Sequence, residues 1–486
     1  MKIRLKHWLV IVHRWLGVAM CLFFALWFAT GIIMMYVEYP ELTEEERLAW
    51  QPELTLDRVA VAPAQAVSTS GLSGPIERLT LAMLGNRPAY ELTDTLGAIA
   101  VVFADSGQPF AGTNPDNVLD AVTSSGLMPE NSAPAYDATI DMDQWTVSEV
   151  LNPHRPLHRV ALGDARGTVA YVSDKTGQIV RDSDRQERLW NWLGSTIHWI
   201  YPYQLRRHRS LWVDVVVYIA LAGIVSVLTG AILGFLRLRV KPRYPSGSMS
   251  PFRGMMKWHH LLGLISLIFV STFIFSGLMS MTPWGIFDSA TPLEPQLARF
   301  TGGELRELEN YPSLTTLTGA SGIKEIEWRR IAGEGHLVVK RNASLHEPVL
   351  VGLSGPAATA ALRLRVERAA AKFLPDASIA STQVLDRYDN YYYTRHNRFR
   401  PLPVYRVRFN DFESTWFHID LSSGAVITRE TDASRLGRWL FNGMHSLDFT
   451  WLTRRGLAWD LTVIALSVIG FAFAVTSVVI GIRRIR

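Results

Sequence analysis

The chain has 486 residues, of which 48% are hydrophobic and 19% charged, with a formal net charge of +5 and a mean hydropathy of +0.10. This hydropathy lies between that of a soluble enzyme and that of a transporter that fills the membrane, so we predict a hybrid of membrane spans and folded domains. The single cysteine, Cys21, excludes intrachain disulfides, four-cysteine zinc or iron–sulfur sites and haem attached through C-x-x-C-H. Any cofactor is therefore held without cysteine.

Four stretches are apolar over the ~20 residues that a helix needs to cross a bilayer. The first is too long for the apolar region of a signal peptide, so we expect an uncleaved anchor. Between the spans lie two long segments that can each bury a core of their own. In chain order we predict TM helix 1 within residues 1–37, a periplasmic domain at 38–210, TM helix 2 at 211–236, a basic loop at 237–257, TM helix 3 at 258–283, a second periplasmic domain at 284–456, and TM helix 4 within 457–486.

Basic residues beside the spans predict the orientation. Residues 1–7 carry three, the loop 237–257 carries six and the tail 483–486 carries three, and none of these segments has an Asp or Glu. Short flanks rich in Lys and Arg stay on the cytoplasmic side. We therefore predict that both termini and the loop are cytoplasmic, and that the two long, net-acidic segments lie in the periplasm of a bacterium with the chain in the inner membrane.

The strongest pattern is an internal repeat, which is the feature to seek before local motifs. A shift of about 246 residues superposes one half of the chain on the other. We predict a tandem duplication around a pseudo-two-fold axis along the membrane normal: an α-helical four-helix membrane bundle with two large periplasmic α+β domains. The superposed residues include His13 with His259, Gly17 with Gly263, Gly31 with Gly277 and, one residue out of frame, His198 with His445.

Local patterns within the long segments predict β-hairpins with tight glycine turns. Ala170–Val180 and Trp416–Ile427 alternate apolar and polar residues around a D-x-x-G or S-S-G turn. The run Ala361–Leu374 has apolar residues at helical spacing. We expect small α+β modules, two in each half.

Three motifs carry a resemblance to a known family. They are the H-x-x-x-G spans at His13 and His259, the W-x(5)-H segments that end at His198 and His445, and the external D-x-x-G hairpins. In these motifs the chain resembles the PepSY-associated transmembrane (PepSY-TM) family. The resemblance implies PepSY-like external domains and, as the leading activity, an inner-membrane reductase that releases iron from ferric siderophores in the periplasm. It also implies an alternative, because PepSY-like modules are thought to restrain peptidases or act as periplasmic binding domains.

The four repeated histidines are the candidate metal ligands. An ionisable side chain at membrane depth is costly and usually faces the interior of a bundle. Two opposed imidazoles without cysteine suit axial ligation of haem iron, whereas zinc needs four ligands. We predict two non-covalent, bis-histidine b-type haems, an inner one held by His13 and His259 and an outer one held by His198 and His445. The alternative is that these histidines are interfacial residues at helix ends.

Two further points concern the same spans. His260 is a rival to His259, being adjacent but turned by ~100° on the helix. Gly31 lies 18 residues after His13, which is five full turns on the same face, and Gly17 is ~40° from that line. Gly263 and Gly277 are the repeat equivalents of Gly17 and Gly31. We predict that all four glycines line slots for a flat cofactor; the alternative is that they allow the helices to pack closely.

The segment 387–409 is rich in tyrosine and arginine and could attract an anionic or aromatic iron chelate, the alternative being a strand and turn whose tyrosines pack on the domain. Its periplasmic position argues against nucleic acid as a partner. The residues in question are Tyr391, Tyr392, Tyr393, Arg395, His396, Arg398 and Arg400.

The sequence thus predicts a dihaem oxidoreductase of the inner membrane. Its electron donor would be a quinol or a cytoplasmic reductase, and its leading acceptor a ferric siderophore. The alternative is a haem-free membrane protein that serves as a periplasmic sensor, a scaffold or a regulator of a peptidase.

Overall fold

The structure is a computed structural model that describes residues 2–128, 132–287, 291–305, 308–394 and 399–486. It divides into two compact units. The helical unit comprises Met1–Tyr39, Leu189–Asp288 and Ala433–Arg486, and the β-rich unit comprises Pro40–Arg188 and Ser289–Asp432.

The α-helices differ widely in length, from single turns to helices long enough for a membrane. In chain order they are α1 (Lys2–Met34), α2 (Glu44–Trp50), α3 (Pro63–Thr69), α4 (Val118–Thr123), α5 (Arg185–Asn191), α6 (Tyr203–Arg206), α7 (Arg209–Arg237), α8 (Gly254–Ile265), α9 (Leu267–Ser280), α10 (Glu294–Thr301), α11 (Gly355–Ala369), α12 (Asp432–Arg438), α13 (Thr450–Thr453) and α14 (Leu457–Ile485).

The strands all belong to the β-rich unit. They are β1 (Ile76–Leu84), β2 (Arg87–Asp94), β3 (Ile99–Phe103), β4 (Ala135–Ile140), β5 (Leu157–Ala161), β6 (Val169–Ser173), β7 (Ile179–Ser183), β8 (Glu325–Ile331), β9 (Glu334–Lys340), β10 (His346–Val349), β11 (Ile379–Leu385), β12 (Val404–Phe409), β13 (Trp416–Asp420) and β14 (Val426–Glu430).

Among the described residues, three helices are long and apolar enough to cross a membrane: Leu5–Met34 within α1, α7 and α14. The predicted third span is instead a bent pair, because α8 and α9 meet at an angle of 70°. The break falls at Ser266, a buried residue that ends α8. The helical unit is therefore that of a membrane protein, and a fourth crossing depends on whether the bent pair forms one span.

The apolar helices pack against one another along their length. Helix α1 contacts both α14 and α7, α7 contacts α9, and α14 contacts α8. Small residues lie where the helices approach most closely. A side chain at Gly223 would meet Ile274, and one at Gly234 would meet Leu264. Small residues are expected at such contacts, because helices in lipid associate through close packing and not through a hydrophobic driving force.

Two π-helical turns precede the membrane helices α7 and α14, at Trp192–Thr196 and Trp439–Gly443. Single π-helical turns are uncommon and often occur at functional sites. His198 and His445 each follow two residues after such a turn. The backbone then turns through a residue with positive φ, at Ile200 in one case and Leu447 in the other.

The β-rich unit contains three antiparallel sheets. The six-stranded sheet has the order β10-β9-β8-β1-β2-β3, and the two four-stranded sheets run β4-β5-β6-β7 and β11-β12-β13-β14. The six-stranded sheet joins both long segments of the chain, because β1 pairs with β8. Leu79 and Trp328 are partners in this pairing, and both lie buried in its core.

The predicted hairpins are present. Strands β6 and β7 are joined at Gly177, and β13 and β14 at Gly424. Both glycines have positive φ, 67° and 74°, a conformation that other residues adopt only with strain. The predicted helical run lies in α11 and the short 3₁₀ turn after it, and Leu362 and Val366 of α11 are buried against the sheet of β11–β14.

A buried cluster of charges also links the two long segments. Lys340 on β9 lies 3.0 Å from Glu325 and 3.3 Å from Glu327, and 2.9 Å from Glu44 on α2. Arg47 on α2 contacts Glu325 at 2.7 Å. Burial alone would raise the pKa of Glu325, but the positive charges of Arg47 and Lys340 outweigh it and hold that pKa well below the usual value. The cluster is therefore ionised in the folded protein.

Candidate functional site

The structure brings the four repeated histidines together as two pairs. The ring centroids of His13 on α1 and His259 on α8 are 6.2 Å apart, with their planes at 38°. The rings of His198 and His445 are 6.1 Å apart, with their planes at 76°. Two metal–nitrogen bonds of ~2 Å and the radii of the two rings add up to roughly 6 Å, so both pairs have the spacing of imidazoles that share one metal ion.

In the first pair, a neighbouring helix contacts the Nδ1 atom of each ring: α7 contacts His13, and α14 contacts His259. His13 Nδ1 lies 3.1 Å from the carbonyl oxygen of Ser226 on α7. His259 Nδ1 lies 3.3 Å from the Thr476 hydroxyl and 3.2 Å from that of Ser477, both on α14. Each ring is thus oriented by a partner helix.

The other pair is held in the same manner by α1 and α9. His198 Nδ1 lies 3.0 Å from the hydroxyl oxygen of Thr30 on α1. His445 Nδ1 lies 3.0 Å from the hydroxyl oxygen of Ser276 and 3.2 Å from the carbonyl oxygen of Phe273, both on α9.

These partners assign the proton on each ring. The Ser226 carbonyl can only accept a hydrogen bond, so His13 donates from Nδ1. The Thr30 hydroxyl donates its own proton to the Leu26 carbonyl at 2.7 Å, so it accepts from His198 Nδ1. The same reasoning applies to His445 and His259, because the hydroxyls beside them also donate to backbone carbonyls. With the proton on Nδ1, the Nε2 atom of a neutral imidazole carries the lone pair that binds a metal.

His260 differs from its neighbour His259. Its Nε2 lies 2.9 Å from the carbonyl oxygen of Gly234 and therefore donates, while its Nδ1 accepts from the Ser250 hydroxyl at 2.8 Å. Both ring nitrogens are engaged by protein groups and the side chain is buried. This hydrogen bonding favours His259 over His260 as a metal ligand.

Matching tryptophans fix the chain just after the histidines of the second pair. Trp212 on α7 donates its indole proton to the carbonyl of Trp199 at 3.0 Å. Trp459 on α14 donates to the carbonyl of Ser446 at 2.8 Å. Each acceptor directly follows a histidine of the pair, so the indoles tie the end of each π-helical segment to the next long helix.

The four predicted glycines have different surroundings. A Cβ atom on Gly31 would lie 3.6 Å from His198 Cε1, and one on Gly277 would lie 3.7 Å from His445 Cε1, so both glycines border the second pair. A Cβ atom on Gly17 would meet no atom within 4 Å, and one on Gly263 would lie 2.9 Å from the ring of Phe473. Their predicted role beside a cofactor remains a prediction.

Two residues that the sequence analysis did not single out contact the first pair. Gly230 on α7 leaves room for His13, since a Cβ there would lie 2.6 Å from Cε1 of that ring. Phe473 on α14 stacks on His259, with ring centroids 5.1 Å apart and planes at 22°. Both limit the orientations that the histidine rings can adopt.

The hydroxyl partners were missed as well, although a pattern in the sequence marks them. Ser and Thr inside apolar spans are worth noting where they recur in the repeat. Thr30 and Ser276 are repeat equivalents, and so are Thr229 and Thr476. Thr229 lies 3.5 Å from His13 Nδ1. Aligning the polar residues of the spans, rather than their histidines alone, would have found them.

The tyrosine- and arginine-rich segment is described only in part, since Arg395, His396 and Arg398 lie outside the described residues. Tyr392 is buried and donates its hydroxyl proton to the carbonyl of Pro401 at 2.8 Å. Tyr391 packs edge-on against Trp416, with ring centroids 5.2 Å apart. The described tyrosines therefore have the packing role that was the alternative interpretation.

The available donor atoms suit a metal cofactor that itself supplies most of the atoms bound to the metal ion. Within the described part of the chain, no group of three or more His, Cys, Asp or Glu is arranged to hold a metal ion. A pair of imidazoles instead supplies two nitrogen ligands, which is the protein's share of a bis-histidine haem. Both histidine pairs fit that chemistry in spacing and in protonation.

An apolar helical unit with spans long enough for a bilayer, in a chain that also folds antiparallel sheets, defines a membrane protein with a soluble β-containing part. The chain belongs to the family of the PepSY-associated TM region, whose model matches residues 10–484. A search of curated proteins found no match.

Proposed function

We propose that the protein is a dihaem b-type electron-transfer protein of the bacterial inner membrane. His13 and His259 hold one haem, and His198 and His445 hold the other. One observation carries the proposal: two histidine pairs at repeat-equivalent positions have the same ring spacing, about 6 Å, and each ring engages Nδ1 in a hydrogen bond. Such outer hydrogen bonds fix ring orientation and raise ligand basicity.

The positions along α1 support transfer across the bilayer. His13 lies about one third of the way along α1, and Thr30, the partner of His198, lies 17 residues further on. At 1.5 Å per residue the two sites are ~25 Å apart along the axis, which is close to the thickness of the hydrocarbon core. The aromatic side chains of Phe28, Phe269 and Phe273 contact one another in the helical unit, and Phe273 contacts His445.

The topology is part of the same proposal. Four spans, with the bent pair α8 and α9 counted as one, would put both termini on the same side of the membrane. The basic flanks predict that this side is the cytoplasm, and the β-rich unit then lies in the periplasm. Tandem duplication of one unit explains the matched hydrogen bonds around the two halves. The first histidine pair then faces the cytoplasmic side, and the second faces the periplasm.

The bound haems supply reversible one-electron chemistry at iron, and their potentials depend on axial ligands and burial. The protein's residues hold the imidazoles neutral, orient them and exclude water. An electron from a quinol or a cytoplasmic reductase passes to a periplasmic acceptor, and one electron converts Fe³⁺ to Fe²⁺. We propose a ferric siderophore as that acceptor, since its hard oxygen ligands hold Fe²⁺ less tightly than Fe³⁺.

Proteoliposomes test this function. The purified chain is reconstituted with a reduced quinol inside the vesicles and a ferric hydroxamate chelate outside, and formation of Fe²⁺ is followed with a ferrous-specific chelator. We expect reduction by the native protein and by His7→Gln, which changes an exposed histidine on the same helix as His13. His13→Gln and His445→Gln are expected to abolish it.

The haem-free alternative makes the opposite prediction. If the folded protein contains no haem and the histidine variants behave like the native chain, the histidines anchor helix ends and the protein acts as a sensor, a scaffold or a peptidase regulator. If haem is present but no ferric chelate is reduced, the electron-transfer protein has a different acceptor.

A further inference from the structure

A cavity of about 390 Å³ lies in the β-rich unit beside the turn that joins β8 and β9. Its volume falls within the range of about 300–1,000 Å³ that is usual for small-molecule sites. Its lining includes the apolar side chains of Leu350, Val351 and Ala361 and the polar side chains of Tyr311, Arg330 and Arg365. An apolar surface faced by a few convergent polar groups is the usual composition of a ligand site.

The turn beside the cavity is held in place without a ligand. Ala332 and Gly333 both have positive φ, 56° and 91°, so the two strands are joined by a tight turn. Their backbone N–H groups donate to the carbonyls of Phe300 and Thr301 at the end of α10, each at 2.9 Å. The backbone of the turn beside the cavity is therefore ordered before a ligand binds, which lowers the entropic cost of binding.

The charged groups of the wall leave positive charge uncompensated. Arg330 donates to the backbone carbonyl of Glu304 at 2.8 Å, and within the described chain no carboxylate lies within salt-bridge distance of it. Arg365 pairs with Glu334 at 2.8 Å, but that glutamate is 67% exposed. Two guanidinium groups thus face one solvated carboxylate, which favours an anionic ligand.

We propose that this cavity binds a small organic carboxylate with an apolar body. The carboxylate accepts hydrogen bonds from Arg330, and the apolar part packs against Leu350 and Ala361. The inference goes beyond the proposed electron transfer and does not depend on haem.

Calorimetric titration of the full-length protein in detergent with phenylacetate tests this site, with the neutral phenylacetamide as the matched probe. We expect phenylacetate to bind at least roughly tenfold more tightly, because its charge-assisted hydrogen bonds are lost in the amide. Arg330→Gln is expected to weaken binding of phenylacetate about tenfold or more.

Arg363→Gln is the control, since this exposed arginine lies on α11, pairs with Glu367 at 2.9 Å and is not part of the cavity wall. Ala361→Phe fills the cavity and is expected to abolish binding. The proposal is overturned if phenylacetate does not bind the native protein, if it binds no more tightly than phenylacetamide, or if Arg330→Gln and Ala361→Phe bind it as the native protein does.

Discussion

Replacing Thr30 with valine removes a single hydrogen bond to His198 while keeping the shape of the side chain. The Thr30 hydroxyl lies 3.0 Å from His198 Nδ1, and the proposed ligand atom Nε2 belongs to the same ring. Loss of such an outer partner typically lowers metal affinity 10–100-fold, which corresponds to about 1.4–2.7 kcal/mol. We expect the outer haem to bind more weakly by this factor, and the inner haem, held by His13 and His259, to be unaffected.

Titration of haem into the haem-depleted protein, followed by the Soret absorbance, measures both affinities. The control is Thr272→Val, the same substitution on α9. Within the described chain the Thr272 hydroxyl donates to the carbonyl of Phe269 at 3.0 Å and contacts no histidine. If Thr30→Val holds both haems as tightly as Thr272→Val does, the hydrogen bond to Nδ1 has no role in ligation and the argument from protonation is wrong.

Three further predictions test the choice of His259 as a ligand and the energetics of the β-rich unit. His260→Gln is expected to retain two haems whereas His259→Gln retains one, and haem quantification that shows the reverse would make His260 the ligand. Lys340→Met removes one of the cations that contact the buried carboxylates Glu325 and Glu327 and is expected to lower the free energy of unfolding by about 3 kcal/mol, an expectation that unchanged denaturant curves would contradict. Asp182 and Glu187 have pKa values raised to about 6 and about 7, mainly by burial and then by neighbouring carboxylates. Since both folded-state values exceed the ordinary values of 3.8 and 4.5, the stability that these groups contribute is present below pH ~4 and is lost as the pH rises through 6 to 7. Asp182→Asn is therefore expected to raise the melting temperature at pH 8 and not at pH 4, and an equal effect at both values would refute the linkage.

Short-range patterns in the sequence predicted many of the elements. Apolar runs of helical length located α1, α7 and α14, because a span must satisfy its backbone internally and be apolar throughout. Alternating residues around Gly177 and Gly424 located two hairpins. The repeat in the sequence then indicated which histidines correspond, and the structure brings those histidines together as two pairs.

Features that depend on distant contacts were not predictable in this way. The pairing of β1 with β8 joins residues more than 200 positions apart, and no local pattern specifies it. The break at Ser266 lies inside a run whose composition is that of one uninterrupted span. The repeat marks Thr30 and Ser276 as equivalent residues, but their hydrogen bonds to histidines were visible only in the three-dimensional structure. A hydroxyl in a span usually bonds to its own helix.

Electron paramagnetic resonance of the oxidised, purified protein, combined with haem quantification, tests whether the histidine pairs ligate iron. The account predicts two haems per chain and two distinct low-spin signals, since the ring planes meet at 38° in one pair and 76° in the other. Replacing His198 with glutamine should remove one signal and leave the other. A folded protein without haem, or one that keeps both signals in the His13→Gln and His198→Gln variants, would contradict it.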